Sequence, residues 1–206
     1  MDSKEIRAFN FDIRAENAED GRHLTGHAIV YGQRTDLGWY DEIIEPDALA
    51  NADLKDVRFL VNHNTDMIPL ARSRNNTPNS TLQLIVEPET GLYIRARLDT
   101  ENNADAKSLY SAVERGDISG MSFMFTVGED RWDDPEGPHP TRHITNISRV
   151  FEVSAVTWPA YDQTSITARG LADALESAAA SLESERARIR AQRAQRLRIK
   201  LLTEEI

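Results

Sequence analysis

The sequence predicts a mainly β fold with flanking helices, an antiparallel barrel followed by a helical C-terminal tail. Three observations predict it. Over residues 4–166, apolar side chains alternate with polar ones in short runs, the period of half-buried strands. Clusters of Gly, Pro, Asn and Asp break those runs often enough to leave strands rather than helices. Beyond Gly170 the pattern changes to a stretch free of Gly and Pro and rich in Ala, Leu, Glu and Arg. A chain of 206 residues accommodates one full domain with a real core, here 1–168, and an appendage, here 169–206.

Each element has its own signal. Phe9, Phe11 and Ile13 alternate with Asn10, Asp12 and Arg14 as one strand, and a second fits 23–31, stopped by Gly32. Glu45-Pro46-Asp47-Ala48-Leu49, with an early Pro and acids in the first turn, predicts a helix start. A short apolar strand over 57–61 leads into Asn62-His63-Asn64. Strands over 82–86 and 92–98 flank Glu87-Pro88-Glu89-Thr90-Gly91, a hairpin signal. Residues 102–115 predict a helix with Ala106, Leu109 and Val113 on one stripe and Gly116 as its stop. Strands over 118–127 and 143–157 follow, separated by a loop over 128–141 that carries three Pro and two Gly. In the tail, Leu171, Leu175, Ala178 and Leu182 keep one apolar stripe, which then fails at Glu185, Gln192 and Arg196.

Composition removes several function classes. Hydrophobic residues are 40% and charged residues 28%, which excludes wholesale disorder. There is no apolar run of the roughly 18 residues a membrane helix needs. The start, MDSKEIRAFNFDIRAE, has no apolar segment of the signal-peptide kind. With no Cys, thiolate metal sites and cysteine nucleophiles are excluded, and a reducing cytoplasm is the natural setting. The net charge of −10 hides an asymmetry: six Arg and one Lys lie between Arg186 and Lys200 with no acid among them. Setting those seven aside leaves 17 basic residues against 34 acidic, a balance of −17. So acidic a body argues against nucleic acid as its ligand.

Three segments carry candidate chemistry: Asn62-His63-Asn64, Ser119-Gly120-Met121-Ser122-Phe123-Met124-Phe125 and Phe151-Glu152-Val153-Ser154. Strand parity puts Met121, Phe123, Phe125 and Val127 on one face and Ser122 on the other. The same parity turns Glu152 away from Phe151, Val153 and Ala155. A carboxylate in so apolar a run requires a partner. A Ser hydroxyl needs a base to become a nucleophile, and His titrates near neutral pH. That His needs an acceptor to fix its tautomer, a role a buried carboxylate fills. Ser122, His63 and Glu152 are therefore a chemically complete set. Structural roles compete on spacing alone: Ser122 as a small residue at a strand crossing, His63 as a strand-end cap, Glu152 as an ion-pair partner of Arg149 or a loop Arg. The run also departs from the G-x-S-x-G elbow of α/β-hydrolases. His139 and His143, like His23 and His27, are four apart, but Pro138 and Pro140 preclude a helix at the first pair and the second lies on a strand pattern. Arg72 and Arg149 are candidates to polarise a carbonyl oxygen, and Leu37-Gly38-Trp39-Tyr40 is either an exposed aromatic patch or a buried Trp.

The blocks GHAIVYGQRTDLGWYDEIIEPDAL, RFLVNHN, GLYIRARLD, GDISGMSFMF and FEVSAVTWPAY, in that order over roughly 5–168, resemble the prohead maturation proteases of tailed bacteriophages. That family is similar in fold to the herpesvirus assemblins, which implies an assemblin-like β-barrel ringed by helices. The resemblance implies a serine endopeptidase, without cofactor or metal, that acts inside the immature capsid in the host cytoplasm. It would cut scaffold, major capsid protein and itself. It places the family's His on His63, its nucleophile on Ser122 and its third member on Glu152. Met124-Phe125 departs from the family's frequent Gly-Phe after Ser-Phe. Rival readings are a non-catalytic capsid-assembly module that binds shell protein through its tail, and a metal hydrolase built on His63, His139 and His143. The failing stripe over 171–206 leaves the tail's first half in need of a partner, another copy or the scaffold, and no nucleic-acid or membrane partner is expected.

Overall fold

Local chemistry explains the best-defined elements. In the computed structural model, which describes residues 4–9, 13–157 and 165–204, the expected hairpin joins β8 (Leu82–Glu87) to β9 (Gly91–Leu98). Gly91 has φ +129, and a Cβ there would lie 2.0 Å from the Ile29 carbonyl oxygen, so only glycine fits. The helix expected over 102–115 is α1 (Ala104–Glu114); the Asn103 side chain accepts from the Asp105 and Ala106 N–H groups and caps its start. Its buried face is Ala106, Leu109, Tyr110 and Val113.

The other strands are β1 (Lys4–Phe9), β2 (Arg14–Ala18), β3 (Gly21–Val30), β4 (Arg34–Asp36), β5 (Asp41–Ile44), β6 (Asp56–Val61), β7 (Ala71–Arg74), β10 (Gly120–Asp133) and β11 (Thr141–Val156). They form two sheets. One runs β2-β3-β9-β8 and is antiparallel throughout. The other has seven strands, ordered β1-β10-β11-β5-β4, with β6 on β11 and β7 on β6. Among the described residues the strand pairings fall into these two sheets. The seven-stranded sheet is also mixed: β11 pairs parallel with β5 along 141–144 and with β6 along 152–155. Leu24, Ile29, Leu82 and Ile94 of the small sheet and Phe59, Met121, Phe123, Phe125 and Val153 of the large one share a single core with α1.

Several expectations are corrected. Residues 46–51 form successive turns, not a helix, because Asp47 sits at φ +67 and breaks the right-handed path. The expected loop over 128–141 shrinks to 134–140. Gly128 is absorbed by register shifts between β10 and β11, and Trp132 gains cover from the C-terminal helix. A further shift next to Met124 makes Phe151 the extra residue of β11, so Val150 takes the core position expected for Phe151. The strand expected from Phe9 to Arg14 spans residues 10–12, which lie outside the described residues; β1 ends and β2 begins on either side.

The tail is α2 (Ser165–Glu204), a 40-residue helix. Ala174, Ala178 and Leu182 are buried, and the last two meet Leu37, Tyr40 and Trp132 of the body. Leu175, Ala178 and Leu182 of the apolar stripe thus pack against the same chain. Tyr40 is fully buried and Trp39 half-buried, stacked on Trp132 at 6.0 Å, so the aromatic run is a packing surface for α2. Residues 191–200 are exposed throughout.

Candidate active site

The turn after β6 carries His63, and the parallel pairing of β6 with β11 brings it beside Glu152 and Ser154. Asn62 and His63 both adopt left-handed conformations, φ +51 and +57, an uncommon arrangement for residues other than glycine and one that Asn tolerates best. The end of β11 holds this turn. The Asn62 N–H donates to the Ala155 carbonyl at 2.9 Å, and the Asn62 and Thr157 side chains and backbone exchange bonds of 3.0 and 2.9 Å. The His63 N–H donates to Ser154 Oγ at 3.2 Å.

That geometry aims the imidazole at Glu152. Nδ1 lies 2.6 Å from Glu152 Oε1, with His63 4% and Glu152 3% exposed. Ser154 donates its hydroxyl to the second carboxylate oxygen at 2.5 Å. The other ring nitrogen, His63 Nε2, is buried with no hydrogen-bond partner among the described residues. A carboxylate fixed on Nδ1 sets the tautomer in which Nε2 is a proton acceptor.

Ser122 reaches the same face by strand register. It lies opposite Ser154 on one side and Ala8 of β1 on the other, while Met121 and Phe123 point into the core. Its hydroxyl donates to the Arg7 carbonyl at 2.7 Å, and the residue is fully buried. The structure therefore joins His63 to Glu152 directly, and leaves Ser122 hydrogen-bonded to β1 instead of to the imidazole.

Beside this cluster lies a second one. Arg7 reaches Glu42 at 2.5 and 2.6 Å and Glu5 at 2.6 Å; Arg142 reaches Glu5 at 3.1 Å, Glu42 at 3.3 Å and Asp130 at 2.6 Å. Burial alone would lower the Arg7 guanidinium, but the charges of Glu42 and then Glu5 outweigh it and hold the group well above its ordinary value. Ser177 and Ser181 of α2 donate to Glu5 at 2.8 Å and to Asp130 at 2.7 Å.

The remaining candidates are engaged elsewhere. Arg72 is paired with Asp56 at 2.7 and 2.9 Å, and Arg149 lies over the Phe151 ring at 4.7 Å. His23 pairs with Asp20, His27 with Glu87, His139 with Asp41 and His143 with Glu45. The histidines of the metal reading thus face three different carboxylates, and the described group closest to a ligand set, Asp36, Asp41 and His139, includes neither His63 nor His143. Sequence reasoning placed Asn62 and Ser154 in the candidate segments without giving them a role, and missed Thr157. Ser154 was legible only as the residue sharing Glu152's strand face.

The chain is 31% identical over 179 residues to the prohead protease of Enterobacteria phage HK97, covering 84% of this chain and 72% of that protein. The solved bacteriophage T4 capsid assembly protease is similar with a TM-score of 0.45 at 14% identity, covering 76% of this chain and 98% of that one. The model of the caudovirus prohead serine protease family matches residues 9–177. A match over most of the sequence sets aside the non-catalytic and metal-hydrolase readings, and the chain belongs to the caudovirus prohead serine proteases.

Proposed function

We propose that this serine protease hydrolyses peptide bonds through Ser122 as nucleophile, His63 as general base and then general acid, and Glu152 as the group that orients His63. The observation that carries the reading is the buried His63–Glu152 contact of 2.6 Å with Nε2 left unpartnered on the far side of the ring. In the reaction, the Ser122 hydroxyl turns from the Arg7 carbonyl toward Nε2 and gives up its proton as Oγ attacks the scissile carbonyl carbon. The tetrahedral oxyanion is held by backbone N–H groups near Ser122. Imidazolium then protonates the leaving amine as the C–N bond breaks, leaving an acyl group on Oγ. Water, deprotonated by Nε2, releases the new carboxylate and regenerates Ser122.

The substrates in this reading are the scaffold and major capsid protein of a tailed phage, together with the chain itself, cut inside the prohead in the host cytoplasm. The HK97 relative's description as a prohead protease supports that setting. The exposed end of α2, with Leu197, Ile199 and Leu201 on its surface among the basic residues, supports self-association or scaffold contact through 171–206. The test is co-expression with scaffold and capsid protein, followed by mass spectrometry of the new termini. Wild type yields processed chains and Ser122→Ala yields none; processing by Ser122→Ala would exclude Ser122 as the nucleophile.

A further inference from the structure

We propose that Ser154 is a positioning residue for this reaction, its one hydroxyl fixing both the carboxylate and the backbone turn that set the His63 imidazole. The inference rests on the reading of His63 and Glu152 given above. A carboxylate has two oxygens, and if either is left bare in an apolar site it draws any donor in reach. At Glu152, Oε1 faces Nδ1 at 2.6 Å and Oε2 takes the Ser154 hydroxyl at 2.5 Å. The Ser154 bond therefore prevents the carboxylate from rotating about its terminal torsion, which is otherwise broad and twofold.

A serine hydroxyl offers one proton and two lone pairs. With the proton committed to Glu152, a lone pair accepts the His63 N–H at 3.2 Å. That N–H belongs to a left-handed turn, a conformation that persists only where neighbours over-determine it. The two bonds act on the imidazole from its two ends, one through the backbone and one through the carboxylate. Ser154 faces Ser122 across the β10–β11 pairing, and its hydroxyl is engaged with both Glu152 and the His63 N–H.

The consequence is a loss of rate without a loss of binding. Misplacing a catalytic group by about 1 Å costs about 10²-fold in rate, so Ser154→Ala should lower kcat by about that factor with KM nearly unchanged. Ser154→Thr, which keeps the hydroxyl, should recover most of it, and Ser154→Cys, near in shape but a weak donor, should remain impaired. The downfield proton resonance of the His63 Nδ1–H should shift or broaden in Ser154→Ala and persist in Ser154→Thr. A fluorophosphonate probe separates the two levels of the argument. No labelling of wild type at Ser122 would remove the catalytic reading and this proposal with it. Labelling of wild type, with Ser154→Ala or Ser154→Cys matching its kcat and its imidazole resonance, would overturn the role of Ser154 alone. Should Ser154→Ala fail to fold, Ser154→Cys carries the same decision.

Discussion

Under α2, Glu5, Arg7, Glu42 and Arg142 are buried and Asp130 half-buried, two positive and three negative charges, and Ser177 and Ser181 of α2 add bonds to Glu5 and Asp130. Beside the turn after β6, His63, Glu152, Ser154 and Ser122 are buried to a similar degree. Both clusters sit on the large sheet, and Arg7 belongs to both, its guanidinium in the first and its carbonyl on Ser122 in the second. They differ in how they end. In the ionic cluster, each guanidinium meets several carboxylates, so the group is a clamp on β1. In the other, one ring nitrogen has no partner among the described residues. A buried polar network with every member satisfied rigidifies, whereas one with a single aimed and unsatisfied atom can accept a proton.

Substitutions that separate the two clusters test the contrast, and the largest effect belongs to the catalytic one. Ser122→Ala removes the proposed nucleophile and only one buried oxygen. Its kcat on scaffold should fall up to about 10⁶-fold while its thermal midpoint stays near that of wild type. A stable protein with undiminished turnover would end the comparison. Glu152→Gln keeps an acceptor oxygen but loses the charge. By analogy with other triads its kcat should fall up to about 10⁴-fold, less than for Ser122→Ala.

The ionic cluster should behave in the opposite way. Arg7→Met leaves Glu5 and Glu42 buried with fewer partners, a class of change that costs about 3–5 kcal/mol. Denaturant unfolding should show that loss. Per folded molecule, turnover should fall far less than in Ser122→Ala; equal losses would mean the two clusters are one functional unit. A chain ending at Arg169 asks whether 169–206 is separable, as we propose. It removes the burial of Leu182, about 1.5–3 kcal/mol by itself, with the Ser177 and Ser181 bonds. It should melt earlier yet still cut peptide in solution, and an insoluble product would make α2 part of the protease domain.

The smallest effect is one of pH. The hydrogen bond from Arg72 holds the Asp56 carboxyl below its ordinary value. A depressed carboxyl contributes stability that is present above its unfolded pKa, about 3.9, and is lost as pH falls through the lower folded value. Thermal midpoints of wild type should therefore drop more steeply than those of Asp56→Asn between about pH 5 and 3. Parallel curves would remove this contribution.

How much was legible in the sequence varied with the range of the interaction. The hairpin at Gly91 and the capped helix at Asn103 rest on neighbours within a few residues, so their signals were local and complete. The turns over 46–51 show the converse: Pro46 and its flanking acids signal a helix, but the left-handed Asp47 within a chain bonded to β11 overrides them. The length of β10 was illegible for a similar reason, since Trp132 extends the strand under a helix some 50 residues further along the sequence.

For the site, the sequence by itself determined the chemical inventory: one His in VNHN, one Ser on the polar face of its strand, and one Glu that needs a partner. Those follow from side-chain chemistry and strand parity. Only the tertiary structure decided which groups meet. The parallel pairing of β6 with β11 joins residues 89 apart in sequence into the His63–Glu152 contact, and the antiparallel pairing of β1 with β10 turns the Ser122 hydroxyl onto Arg7. Ser154 acquired its two bonds in the same way. A hydroxyl has no sequence signal for the partner it will choose, because that choice is made by register and by the need to satisfy each buried oxygen.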